Sequence, residues 1–284
     1  MTTNAAQASQ ASQAPEASQA SEASQEASQA SQASQAAPAG HASHAGPGPG
    51  PGLDTAAGPD AALHALLLAR HSCRAFLPAP VPRDVIERIL TLAQRTASWC
   101  NCQPWRVAVT EGAGTERLRA ALLARAQQAD AASGFTPDFP FPREYRNEYL
   151  ARRRESGFQL YGAVGVARGD RDAYRRQELR NFQLFDAPHV AIITTDEALG
   201  EYGAMDCGGY VANFLLAAQA NGVATVAQAS LAMYPEVLRD VLGIDADRRV
   251  VCGISFGYAD ADHPANSYRT RRADLPETVS WVTA

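Results

Sequence analysis

Leu53 divides this chain of 284 residues into two kinds of sequence. Ahead of it, past Met1, there is no large apolar side chain. Residues 5–37 are mostly Ala, Ser and Gln, with the triplet Ala-Ser-Gln recurring irregularly. Between Gly46 and Gly52, glycine alternates with Pro47, Pro49 and Pro51. Such a stretch has nothing to bury, so nothing offsets the entropy of ordering it. Residues 1–58 therefore read as a disordered, solubilising tail ending in a Pro/Gly linker. Residues 59–284, about 225 in all, are enough for one domain with a real core.

The charge balance narrows the function classes. The formal net charge is −5, and all 25 basic side chains other than histidine are arginine. No broad surface for a polyanion is implied. The arginines from Arg152 to Arg180 are interleaved with Glu148, Glu155, Asp170, Asp172 and Glu178, the pattern of a solvated helix surface laced with ion pairs rather than a nucleic-acid patch. No apolar run approaches the length that spans a bilayer. The first thirty residues hold neither a basic n-region nor an apolar h-region, and the five cysteines are odd in number, so reduced thiols in the cytoplasm are expected. Cys100-Asn101-Cys102 resembles half a metal site, but no second Cys/His pair at ligand spacing accompanies it, and no metal is expected.

Helical spacing of Leu63, Leu66 and Leu67 predicts a helix over 60–69. Pro82 opens a second, over 83–95, with Val85, Ile86, Ile89, Leu90 and Ala93 on one face. Residues 96–105 read as a loop, 106–110 as a strand and 115–128 as a helix. Residues 130–145 read as irregular, their aromatic-rich segment Phe135 to Tyr145 suggests a lid or pocket wall, and a helix follows over 144–154. Residues 187–194 form a buried strand, 202–220 the most apolar helix, stopped by Asn221-Gly222, then a strand at 223–228, a helix at 235–242 and a strand at 249–257. Helices with few strands indicate α+β with one central sheet, mixed or antiparallel. Trp105 and His189 are read as core, Cys73 as a small filler, and Asp206 as the cap of the central helix.

The chemistry concentrates at Arg70-His71-Ser72-Cys73-Arg74-Ala75-Phe76. Two arginines four apart, with a hydroxyl between them, suit a phosphate, because the guanidinium fork donates two parallel charge-assisted hydrogen bonds. His71 either bonds backbone at the helix end or contacts the ligand. No Ser/His/Asp or Cys/His constellation has a case behind it.

Arg70-His-Ser-x-Arg74-x-Phe76, then Ser98-x-x-Asn101-x-Gln103-Pro104-Trp105, then Asp206-x-Gly208 in a long apolar helix ending at Gly222, then Arg269 to Arg272, resemble in order and spacing the FMN-dependent nitroreductase family. The resemblance covers the chain from about Asp60 onward. Arg168-Gly-Asp170 and the segment from Asn181-Phe182 to Pro188 are most similar to the 4-nitrobenzoate reductase branch. The resemblance implies the nitroreductase fold, an intertwined homodimer and two FMN molecules at the subunit interface. Arg70 and Ser72 would bind the phosphate, with Arg272 closing over it and Arg269 or Arg271 assisting. Arg74 would sit by the N1/O2 edge of the flavin, and His71 nearby. Ala97, Ser98, Trp99, Asn101 and Gln103 would reach the flavin of the other subunit. Gln228 and Ala229 would lie along its N5 edge, where Ala227, Ala229 and Ser230 depart from the family's Pro and Glu-Gly.

On this resemblance the expected activity is transfer of hydride from NAD(P)H to a nitroaromatic or similar electron-poor acceptor in a ping-pong cycle, with no catalytic acid or base from the protein. Arg143 or Arg146 would serve a carboxylated acceptor. The alternatives are other chemistry on the same fold (dehalogenation, enone reduction, flavin fragmentation) or a flavin-binding protein of low turnover.

Overall fold

Four strands make one sheet, and the most apolar of them lies inside it. In the computed structural model, which describes residues 58–128 and 134–283, the strands are β1 (Arg106–Thr110), β2 (His189–Asp196), β3 (Ala224–Gln228) and β4 (Arg248–Gly257). Their order is β1-β2-β4-β3 and every pairing is antiparallel. The expected α+β sheet is thus purely antiparallel. The expected tail, residues 1–58, lies outside the described residues except for Gly58, as do residues 129–133. The fold described is that of the unit formed by residues 49–167 and 171–284.

β2 runs buried from His189 to Thr195, which requires a cover on each face. Its side chains alternate accordingly. Ala191 and Ile193 point to one core with Ile86, Ile89, Trp105, Tyr210, Phe214 and Phe256. Val190 and Ile192 point to another with Leu118, Leu122, Phe182, Leu231 and Leu238. The helices divide in the same way. The first core is closed by α2 (Arg83–Ala93) and by α6 (Gly200–Ala220), the longest helix among the described residues. The second is closed by α3 (Ala113–Gln128), α5 (Arg171–Phe182) and α7 (Pro235–Leu242). The helices α1 (Pro59–Ala69), α4 (Asn147–Ala163) and the short α8 (Leu275–Thr278) bury no residue fully.

Two element boundaries differ from expectation for visible reasons. The helix expected over 144–154 begins at Asn147, whose φ of +48° marks a sharp entry, and runs on to Ala163. The central helix starts at Gly200, which takes φ +53°, so Asp206 lies inside it and does not cap it. At the other end Gly222 takes φ +70°, the left-handed stop that Asn-Gly promised. His189 is a satisfied core histidine. Val81 N–H can only donate, so Nε2 accepts from it (3.0 Å) and Nδ1 carries the proton given to the Thr110 carbonyl (3.1 Å). Trp105 is buried and donates its indole N–H to Gln94 (3.0 Å).

Candidate functional site

The Arg70–Phe76 stretch leaves α1 and is drawn onto the open edge of the sheet. Arg70 ends the helix, its N–H reaching the Leu66 carbonyl (3.0 Å). Ser72 then pairs alongside Thr225 of β3, and Cys73 N–H donates to the Thr225 carbonyl (2.9 Å). Cys73 and Phe76 plug into a third small core with Phe185 and Val226. Arg70, Ser72 and Arg74, flanking the buried Cys73, are left half-exposed. Burial pushes the Cys73 thiol up to about 11, as befits an inert filler.

The C-terminal segment comes back over this stretch. Asn266, buried, accepts from Arg74 N–H (2.7 Å) and donates to the Ala75 (2.9 Å) and Asp260 (2.8 Å) carbonyls. Tyr268 accepts from the Arg74 guanidinium (2.9 Å). The sequence reading missed both residues; their one signal was adjacency to the Arg269–Arg272 run. The return puts three guanidinium groups, Arg70, Arg74 and Arg269, near the His71 imidazole, and Arg272 near Arg70. Arg70 is held below its usual range by burial and by Arg272. The His71 imidazole is likewise lowered, chiefly by burial and further by Arg269, Arg70 and Arg74, against the opposing bond from Nδ1 to the Ala69 carbonyl (3.1 Å). Among the described residues, none of Arg70, Arg74, Arg269 and Arg272 is ion-paired. Arg271 turns the other way, to Glu155 (3.2 Å). Four arginines without an ion-paired carboxylate, two of them (Arg70 and Arg272) repelling each other, form a site that fits an anion such as a phosphate.

A cavity of about 250 Å³ opens beside Arg74, lined also by Leu160, Val164, Arg180, Phe185 and His263. β3 is the edge strand here, and Gln228 is fixed at its end. Gln228 is buried; its amide donates to the Asn181 carbonyl (3.0 Å) and its oxygen accepts from the Ser255 hydroxyl (2.6 Å). Its side chain is thus committed internally, and only backbone there can meet a ligand. Ala229 is exposed just beyond it.

The loop from Ala97 to Gln103 lies elsewhere on the surface, against α6. Ala97, Trp99, Asn101 and Gln103 are exposed and Ser98 half-buried. Beside it a second cavity, about 430 Å³, is lined by Gln103, Trp105, Asp196, Leu199 and Arg248. Cys100 and Cys102 are exposed free thiols, and no metal-binding group of His, Cys, Asp or Glu occurs among the described residues.

The segment expected as a lid or pocket wall, Phe135 to Tyr145, is tied in part to the body of the domain. Asp138 accepts from the Arg239 side chain (2.8 Å) and from Val250 N–H (2.7 Å). Phe135 and Phe141 meet edge to face at 5.7 Å, with Phe135 against the second core. These contacts pin the segment to the body. Arg146 is paired with Glu144, and Arg143 is exposed.

A model of the nitroreductase family matches residues 67–258, which takes in the Arg70 stretch, the Asn101 loop and the whole sheet. The chain belongs to the nitroreductase family. Nitroreductase NfnB of Mycolicibacterium smegmatis is 36% identical over 234 residues, covering 82% of this chain and 96% of that protein. The 4-nitrobenzoate reductase of Nocardioides sp. strain LMS-CY is 33% identical over 225 residues, covering 78% of this chain and 90% of that protein. The crystal structure of the FMN-dependent nitroreductase NfnB from Mycobacterium smegmatis in complex with NADPH is 34% identical, with a TM-score of 0.73 over 78% of this chain and 97% of that one. The expected nitroreductase fold is therefore borne out. No helix among the described residues of this nitroreductase is long and apolar enough to cross a membrane.

Proposed function

We propose that this nitroreductase is an FMN-dependent enzyme that passes hydride from NAD(P)H to nitroaromatic or similar electron-poor acceptors. It works as a homodimer, with residues 59–284 as the functional domain. The observation that carries the reading is the cluster of Arg70, Arg74, Arg269 and Arg272, none of them ion-paired, beside His71 at the open edge of the sheet. Relatives named for nitrobenzene and 4-nitrobenzoate, and the NfnB structure described as FMN-dependent and in complex with NADPH, support it.

Arg70, Ser72 and Arg272 hold the phosphate, with Arg269 beside them. Arg74 would serve the flavin ring, where a fixed positive charge would favour the reduced form. Tyr268 and Asn266 orient it from its side chain and its backbone. FMN, when bound, would supply the hydride chemistry between NAD(P)H and the acceptor. The backbone at Ala229, next to the pinned Gln228, would help hold the ring. Ala97, Ser98, Trp99, Asn101 and Gln103 approach from the second subunit.

The dimer is supported by apolar surface that one protomer leaves bare. α1 buries nothing fully, while Leu63, Leu67 and Leu68 on it are exposed. Tyr202 and Met205 on α6, and Trp281 and Val282 near the C-terminus, are exposed as well. Such surface on a soluble domain marks an interface.

Anaerobic stopped-flow tests the reading. The purified protein should carry flavin, be bleached by NADH or NADPH, and be reoxidised by nitroarenes within the same cycle. Flavin that stays oxidised under both nicotinamides would leave only a binding protein. Deletion of residues 1–58 should leave the rates unchanged.

A further inference from the structure

The described residues include two left-handed turns built from residues other than glycine, and they are stabilised in different ways. Leu184, Phe185 and Asp186 have φ of 57°, 51° and 64°; Cys100, Asn101 and Gln103 have φ of 50°, 55° and 47°. Each is an unfavourable backbone conformation that persists only where the surroundings enforce it. The first turn is enforced by burial. Leu184 and Phe185 are core, and Arg119 donates to the carbonyls of Gln183 (3.0 Å) and Ala187 (2.7 Å) that bracket it. The second is exposed from Trp99 to Gln103, so no burial enforces it.

Hydrogen bonds and one ring contact hold it instead: some lie within the loop, such as Asn101 N–H to the Ser98 carbonyl (3.0 Å) and Cys102 N–H to the Trp99 carbonyl (3.0 Å), and the rest come from α6. The Asp206 carboxylate accepts from Trp99 N–H (3.1 Å) and takes the Cys102 thiol at 3.7 Å. Tyr202, one turn earlier on the same helix face, meets the Trp99 ring edge-on with centroids 4.4 Å apart. Asn213 donates to the Thr96 hydroxyl (2.7 Å). Gly209 lets Thr96 approach: a Cβ there would stand 3.2 Å from its methyl group. Within the loop, Ser98 Oγ accepts from Gln103 N–H (2.9 Å). Asp206 is the one carboxylate among these contacts, and it bonds the residue that opens the turn.

We infer that Asp206 is a positioning residue, whose carboxylate holds Trp99–Gln103 in the left-handed form that meets the cofactor of the second subunit. The meeting with the cofactor rests on the functional reading above; the anchoring of the loop does not. A buried core residue would affect the whole domain, whereas this carboxylate acts on one loop and through it on cofactor affinity.

Two measurements on the full-length protein separate the two parts: amide hydrogen exchange, with and without FMN, and FMN affinity from flavin fluorescence. Asp206→Ala removes the acceptor. Exchange at Trp99–Gln103 should quicken about tenfold or more, with β2 and β4 unchanged, and FMN should bind about tenfold more weakly, the size of one charge-assisted hydrogen bond. Asp206→Asn keeps a carbonyl acceptor without the charge and should recover part of both losses. Tyr202→Ala, which leaves the carboxylate in place, should give a smaller change in the same loop, and it serves if Asp206→Ala does not fold. Unchanged loop exchange in Asp206→Ala, or no rescue by Asp206→Asn, overturns the proposal. Faster loop exchange with unchanged FMN affinity leaves the anchor standing and overturns the loop's assignment to the cofactor.

Discussion

α6 is apolar on both sides, and the two sides do different work. The inner side sends Cys207, Tyr210, Phe214, Ala217 and Ala218 into the protein's own core, all buried. The outer side sets out Tyr202, Met205, Gly208, Gly209 and Ala212, all exposed, together with the anchors Asp206 and Asn213. A helix that is apolar all round belongs inside something larger than one chain. The inner side has its partners in the sequence. The outer side has small residues where a second backbone can come close, and it holds the loop that the functional reading sends to a neighbour. Burial of Cys207 pushes its thiol up to about 12, and burial of Tyr210 does the same to its phenol, so the inner side is chemically silent.

The comparison breaks first if the two sides respond alike to substitution. Phe214 is fully buried, and its ring meets Phe256 edge-on at 5.6 Å. Phe214→Ala should cost about 3–5 kcal/mol. For a domain of this size that is a fall of roughly 10–15 °C in melting temperature, read by calorimetry. Met205→Arg, on the outer side, should leave the protomer folded with native far-UV circular dichroism. Analytical ultracentrifugation should find it shifted from dimer to monomer, because an unpaired charge in an apolar interface is not tolerated. A stable Met205→Arg dimer would remove the outer side from the interface.

Within the cofactor site the contrast is between two arginines four residues apart. On the functional reading proposed above, Arg70→Ala removes a phosphate ligand and should weaken FMN binding about tenfold to a hundredfold, the range for a charge-assisted hydrogen bond lost. Arg74→Ala should keep FMN bound and slow its reduction by NAD(P)H. Loss of FMN from Arg74→Ala, with the reduction rate intact, would exchange the two roles. Equilibrium flavin titration beside stopped-flow bleaching distinguishes them.

The parts of this nitroreductase that were legible in sequence are those set by local periodicity. The continuous apolar run of β2 and the helical spacing of α2 and α6 are written in apolar residues, and the elements lie within a few positions of where that pattern puts them. What was not legible depends on long-range return. Asn266 reaches Arg74 across 192 positions, and Asp206 reaches Trp99 across 107. An aspartate next to an apolar helix reads as a cap by local chemistry alone. Only the left-handed Gly200, six residues earlier, shows that the helix has already begun. Gln228 was legible as a residue near the site and illegible as one whose side chain is already spent on Asn181 and Ser255. The aromatics of 135–141 suggested a lid, because composition does not reveal that Asp138 is tied to Arg239 and Val250.

The smallest effect follows from two lowered histidines, one in the core and one in the cluster. His71 and His189 both sit below the ordinary value of 6.5, each chiefly through burial. The unfolded chain then binds more protons than the native one once the pH falls below about 6.5. Stability is therefore complete above that pH and declines on acidification toward the folded-state values. The two differ when an anion binds. His189 has both ring nitrogens engaged in the core, so FMN should not alter it. His71 uses Nδ1 on the Ala69 carbonyl, which leaves Nε2 among the arginines. A phosphate brought into that cluster offsets their positive field and raises the imidazole. FMN binding near pH 6 should then take up a fraction of a proton, seen as a binding enthalpy that varies with the ionisation enthalpy of the buffer. His71→Gln should remove the imidazole's share of that uptake, leaving the share of the FMN phosphate, which itself titrates at about pH 6, while the acid decline due to His189 persists. A buffer dependence identical in His71→Gln and in the unmodified protein would place the phosphate away from His71.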